Sequence, residues 1–156
     1  CPTDTPITLT LVGSDHGGYT EQMQALAARL HLEDKVQFLG SRTDVPQLLQ
    51  AADLFVHPAT CQEGFGITLI EAMASGVPCL AFPKGAIPEI IGPEIDGFLT
   101  EEVSAAALTA GINRALELFT KAPHHWHTLC KNARQKAELF SIERTVAQLE
   151  TLYREQ

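Results

Sequence analysis

The sequence predicts an α/β fold: a parallel sheet flanked by helices, ending in a helical C-terminal tail. Three observations carry this. Short, β-rich apolar runs alternate with helical periods through the first hundred or so residues. Those runs are mostly apolar on both faces, as strands buried inside a parallel sheet are. From Ser104 onward helical periodicity stands alone.

Taken in order, "ITLTLVG" (7–13) reads as the first strand and "YTEQMQALAARLHL" (19–32) as the first helix. Met23, Leu26, Ala27 and Leu30 share one face of that helix. "VQFLG" (36–40) is a strand, "VPQLLQAA" (45–52) a helix and "DLFVH" (53–57) a strand. The helix "GITLIEAMASG" (66–76) and the strand "PCLAF" (78–82) follow, then a short "IPEII" turn (87–91) and the strand "GFLT" (97–100). Alternation at these lengths implies right-handed βαβ units, with helices sandwiching the sheet. The tail holds three helices, over 104–121, 123–140 and 141–156. Pro123 suits a helix's first turn and Ser141 an N-cap. Without repeats or linker-like segments, residues 1–156 read as one domain with 104–156 as its helical tail.

With 156 residues, 45% of them hydrophobic and 19% charged, the chain can bury a core and is not of disordered composition. Its net charge of −8 argues against a nucleic-acid partner. A small anion is not excluded, because helix N-termini bind phosphate without net positive charge. Cys1, Cys61, Cys79 and Cys130 form no CxxC pair, and their apolar settings predict reduced, buried thiols of a cytosolic protein. Neither a membrane-spanning run nor a signal peptide is visible. The chain opens "CPTDTP", without an initiator Met, and reaches a strand almost at once, which reads as a cut through a longer protein.

The segment "CQEGFGITLIEAMASGVPCLAFPKG" (61–85) concentrates the chemistry. Gly64 and Gly66 leave the helix's first N–H groups, around Gly66, Ile67 and Thr68, uncovered at the positive end of the macrodipole. In an α/β sheet this turn lies at the carboxyl edge of the strands, where ligands bind. A diphosphate or sugar hydroxyls would answer those groups. Glu63 precedes the helix and Glu71 lies one to two turns inside it. Ionised carboxylates only accept hydrogen bonds, so vicinal hydroxyls of a ribose or hexose are natural partners. Either acid alone reads as a dipole complement or a solvated helix residue; the pair with its glycines and "ASGVP" reads as a binding site.

"EGFGITLIEAMASGVPCLA", with Glu63 and Glu71 as an E-x7-E pair, resembles the donor-site signature of retaining GT-B glycosyltransferases of family 4 (glycosyl transferases group 1). The likeness extends through "LVGS" (11–14), "LEDKVQFLGSRTDVPQLLQAADLFVHPA" (32–59), "IPEII" (87–91), "DGFL" (96–99) and "FSIERTVAQLETLYRE" (140–155), in the family's order. The resemblance implies a Rossmann-like parallel sheet, the C-terminal, donor-binding half of a GT-B fold. In the full-length protein, a hexose would move with retention from a nucleotide-diphosphate sugar to a glycan or lipid-linked acceptor. "SRTDVPQLLQAADLFVHPA" is similar to enzymes adding hexoses to lipopolysaccharide core, which points to lipopolysaccharide or other surface polysaccharide synthesis.

The resemblance also implies roles. Glu71 would hold ribose hydroxyls. Glu63, the catalytic-site acid, would hold hydroxyls of the transferred sugar without acting as a nucleophile. The Phe65, Gly66 and Ile67 amides would lie near the sugar, Thr68 near the diphosphate, and Arg42 and Asp44 at the base. No metal or other cofactor is implied. The location implied is cytoplasmic, with peripheral contact at the inner face of the membrane left open.

The family's opening strand, with its Gly-Arg turn and later diphosphate-contacting Lys, has no counterpart in "CPTDTPITL". Arg42 and Lys84, cations within or near the recognised motifs, do not match that absent pair. The resemblance leads to the expectation that the N-terminal domain, which would bind the acceptor and make any membrane contact, is also missing. The expectation is a gap or mispairing between the 7–13 and 53–57 strands, poor stability, and no turnover by this chain alone.

Other features weigh less. "LVGSDHGG" lacks the dinucleotide spacing and reads as a structural turn. His124, His127 and Cys130 share a helical face that could suit zinc, but a surface patch with Trp126 packed inward is the favoured reading. His57 reads as a hydrogen-bonded strand end slightly ahead of a substrate contact, and Asp53 as a helix terminator. Two further functions stand beside transfer. One is a glycoside hydrolase using Glu63 and Glu71, although such carboxylates usually come from different elements. The other is a non-catalytic nucleotide-sugar-binding module.

Overall fold

The computed structural model describes residues 6–15 and 17–154. It divides into two compact units, one running to Val45 and the other starting at Pro46, each described by itself.

In the first unit, β1 (Leu9–Val12) leads through α1 (Tyr19–Arg29) to β2 (Val36–Gly40). The two strands run parallel, with Leu9 opposite Val36 and Leu11 opposite Phe38; the register then slips so that Val12 faces Gly40. The "LVGSDHGG" segment, whose His16 lies outside the described residues, leads into α1. The Asp15 carboxylate accepts from the Tyr19 N–H at 2.9 Å and the Thr20 N–H at 3.3 Å. It thereby answers N–H groups at the start of α1 that have no partner within the helix. Two expectations fail here. Every residue of β1 is exposed rather than buried, and Leu30 lies exposed beyond the end of α1, where only Ala27 is fully buried. Alternating or continuous apolarity records what a strand can bury, whereas burial itself needs a covering layer.

The second unit carries the main core. Helix α2 (Val45–Gln50) begins at the boundary, followed by β3 (Phe55–His57), α3 (Ile67–Ala74), β4 (Cys79–Ala81), the short α4 (Ile87–Ile90) and β5 (Gly97–Leu99). These strands form one parallel sheet in the order β3-β4-β5. Cys79, Leu80 and Ala81 are wholly buried, as the central strand of a sheet covered on both faces must be. The tail forms α5 (Ala105–Lys121), α6 (Pro123–Ala137), a 3₁₀ turn (Glu138–Phe140) and α7 (Ile142–Arg154). Ser104 caps α5 by accepting from the Ala107 N–H at 3.0 Å, and Ser141 caps α7 through the Arg144 N–H at 3.3 Å. Both are the residue type preferred at that position.

Leu80 and Phe98 from the sheet meet Ala115 and Leu118 of α5 and Trp126 and Leu129 of α6 in one apolar cluster. Trp126 does pack inward, edge-on to Phe119 at 5.4 Å between ring centroids, an arrangement that aromatic pairs favour. Helix α3 lies against α6 and buries Leu69, Ala72 and Met73 on that side. Its opposite side is left open, and the candidate site lies there. The thiols divide: Cys79 is buried, Cys130 half-buried and Cys61 exposed, contrary to expectation, because the loop before α3 faces outward; Cys1 lies outside the described residues. Among the described residues, no His, Cys, Asp and Glu cluster suits a metal, so His124, His127 and Cys130 form no such group. No helix among them is long and apolar enough to cross a membrane.

Candidate donor-binding site

The site forms where β3 ends and α3 begins. Gly66 stands at the N-cap of α3 with φ of 70°, a left-handed conformation that glycine adopts without steric cost. Its side-chain-free position leaves the cap to a neighbour. Glu63 supplies it: Oε1 accepts from the Gly66 N–H at 3.0 Å and, more weakly, from the Phe65 N–H at 3.4 Å. The Gly66 and Phe65 N–H bonds, in that order, hold the Glu63 carboxyl below the usual glutamate range. The loop is pinned from its other side by the Ala86 N–H, which donates to the Glu63 carbonyl at 3.0 Å.

This differs from the sequence expectation in one respect. Gly66 and Phe65 amides are engaged by Glu63 rather than offered to a ligand. The next two N–H groups, of Ile67 and Thr68, have no acceptor among the described residues. They leave the helix start as an open anion-facing pair at the positive end of the dipole. Around them the surface is accessible: Phe65 is 54% exposed, Ile67 is 62% exposed, and Thr68 and Glu71 are exposed too. The Glu71 carboxylate has no hydrogen bond or ion pair among the described residues; only its carbonyl is used, by Ser75. Its acceptor capacity is therefore unspent.

Arg42 and Asp44 belong to the first unit and face each other. Arg42 Nε and a terminal guanidinium nitrogen donate to the two Asp44 oxygens at 2.8 and 2.7 Å, the bidentate geometry of a guanidinium on a carboxylate. Each shifts the other toward its charged form, Arg42 upward and Asp44 downward.

Two pairings with Glu63 escaped sequence reasoning. Gly85 packs against the Glu63 backbone so closely that no side chain fits between them. His57 turns its Nε2 toward Glu63 Oε2 at 3.5 Å, where the sequence favoured an ordinary hydrogen-bonded strand end. Neither pairing follows a helical or strand period, so only the folded loop brings them together.

The Glu63 cap makes a pH prediction. Because its folded pKa is depressed, the carboxylate's contribution to stability is present above the unfolded glutamate value. It is lost as pH falls through the lowered folded value. Carbon-detected NMR should find Glu63 titrating below the ordinary glutamate range; a midpoint within that range would mean that the cap is not formed.

The α/β architecture with parallel strands and flanking helices is that of GT-B glycosyltransferases. The Anabaena HepE crystal structure in complex with UDP superposes with a TM-score of 0.78 at 32% identity, over 97% of this chain and 42% of that one. The chain belongs to the family "Glycosyl transferases group 1", whose pattern matches residues 2–136. Among curated relatives, the N-acetyl-alpha-D-glucosaminyl L-malate synthase of Bacillus anthracis is 37% identical over 129 residues, covering 82% of this chain and 32% of that protein. The lipopolysaccharide glucosyltransferase WaaG of Escherichia coli is 31% identical over 146 residues, covering 92% and 37% respectively. The chain thus spans roughly a third of these relatives' lengths.

Proposed function

We propose that this chain is the donor-binding part of a retaining hexosyltransferase. The full-length enzyme would move a hexose from a nucleotide-diphosphate sugar to a glycan or lipid-linked acceptor, in lipopolysaccharide or other surface polysaccharide synthesis. The observation that carries this reading is the open start of α3, with its unanswered Ile67 and Thr68 N–H groups beside the unspent Glu71 carboxylate. Donors placed there suit diphosphate or sugar oxygens, and the carboxylate suits vicinal ribose hydroxyls. Supporting it, HepE was crystallised with UDP and with UDP-glucose, and WaaG is named for lipopolysaccharide glucosyl transfer.

In this reading Glu63 meets the transferred sugar; its Oε1 is committed to the helix and its Oε2 is turned toward His57. In this reading it orients hydroxyls and forms no covalent intermediate, and the acceptor attacks the face from which the diphosphate leaves. Metal is not invoked, since the helix start and protein cations would meet the diphosphate charge. Acceptor binding and turnover are assigned to the full-length protein.

Calorimetric titration of the full-length protein with a panel of nucleotide sugars tests the proposal. Glu71→Ala should weaken every nucleotide in the panel by about 10- to 100-fold, the worth of charge-assisted hydrogen bonds of about 1.5–3 kcal/mol. Unchanged affinities across the panel would remove the assignment.

A further inference from the structure

His57 is placed with little freedom. Its backbone pairs opposite Ala81 in the sheet, and its ring stacks near Phe55, with centroids 6.4 Å apart and planes inclined by 28°. Its side chain is only 15% exposed, and Nε2 is buried without a hydrogen-bond partner among the described residues. The polar atom it faces is Glu63 Oε2, at 3.5 Å. Glu63 in turn is fixed through Oε1 by the helix N–H groups and through its carbonyl by the Ala86 N–H. An ionised carboxylate presents only lone pairs. If Nε2 carried a lone pair as well, two acceptors would confront each other with Nε2 shut off from solvent; with a proton on Nε2, a slight closing movement completes a hydrogen bond.

We propose that His57 is a positioning residue for Glu63, donating from Nε2–H to Oε2 so that both carboxylate oxygens are held, one by the helix and one by the strand. The remaining lone pairs of Oε2 then point in a fixed direction. A carboxylate held through Oε1 alone could swing about that oxygen and would select poorly among hydroxyl arrangements. The consequence for sugar selection rests on the donor-site reading above; the hydrogen bond itself does not.

The two are tested separately on the full-length protein. Long-range proton–nitrogen NMR of the imidazoles should find His57 protonated at Nε2, and a neutral ring with its proton on Nδ1 alone would overturn the proposal. His57→Leu should leave UDP affinity within about twofold while weakening UDP-glucose by about tenfold, as expected for one misdirected charge-assisted bond. His57→Gln, which restores an N–H at a similar reach, should recover most of that loss. Equal weakening of UDP and UDP-glucose would show a merely structural role, and no weakening would deny any role; either sinks the proposal. Should wild type bind neither probe, the nucleotide and nucleotide sugar of the panel that it does bind take their place; binding to none of the panel would sink the donor-site reading, while the tautomer still decides His57. Should the leucine variant not fold, the same spectrum decides.

Discussion

Replacing Gly85 with alanine is expected to destabilise the second unit by about 3 kcal/mol, the sum of a backbone cost and a lost hydrogen bond, and, on the proposed donor-site reading, to weaken nucleotide-sugar binding with it. Gly85 has φ of 58°, so any other residue first meets the left-handed cost of about 1–2 kcal/mol. The larger obstacle is space. A Cβ there would collide with the Glu63 carbonyl oxygen and lie 2.7 Å from its nitrogen and 2.9 Å from its carbonyl carbon. These are backbone atoms, which no rotamer change moves aside. The loop must shift, and with it goes the Ala86 N–H bond to the Glu63 carbonyl. A bond of that kind is worth about 0.5–1.5 kcal/mol. Gly76 is the control. Its φ of 81° carries the same conformational cost, but a Cβ there would meet only the Cys130 carbonyl, at 4.0 Å. Urea unfolding of both variants separates the effects: Gly76→Ala should lose only about 1–2 kcal/mol and bind donor normally. Equal losses from the two substitutions would show that the collision is relieved without consequence.

Gly85 also shows where sequence reasoning stopped. The strand and helix order was legible because each run carries its own period. The ends moved by a few residues at most: "DLFVH" became Phe55–His57, and "GITLIEAMASG" became Ile67–Ala74. The family and its glutamate pair were legible because they lie within one continuous segment. The state of that pair was not. Whether Glu63 aims at a ligand or caps a helix depends on whether its side chain folds back to Gly66, and both outcomes share one sequence. The exposure of β1 was hidden for a different reason, since an apolar strand looks alike with or without a covering layer. A helix and a strand separate Gly85 from Glu63 along the chain, and nothing local marks the two as backbone neighbours.

The core offers the second large effect, and it has a compensating partner. Leu80 is wholly buried at the centre of the sheet, among Phe98, Ala115, Leu118, Trp126 and Leu129. Leu80→Ala should cost about 2–5 kcal/mol, combining lost transfer energy with the cavity left behind. Facing it on α5 is Gly111, where a Cβ would come within 2.6 Å of Leu80 Cδ1 and 3.1 Å of Cδ2. Glycine inside a helix forfeits about 1 kcal/mol against alanine, so its presence here is explained by the room Leu80 takes. Alanine at Gly111 alone should therefore gain helix propensity yet force Leu80 from its place, and end destabilising by about 1–3 kcal/mol. In the double variant the collision disappears, part of the cavity is filled and the propensity gain survives. The pair should be more stable than Leu80→Ala alone, with a coupling of at least about 1 kcal/mol in the double-mutant cycle. Additive losses would mean that Leu80 and Gly111 do not share this space, and that the close packing of α5 on β4 is not what selects glycine there.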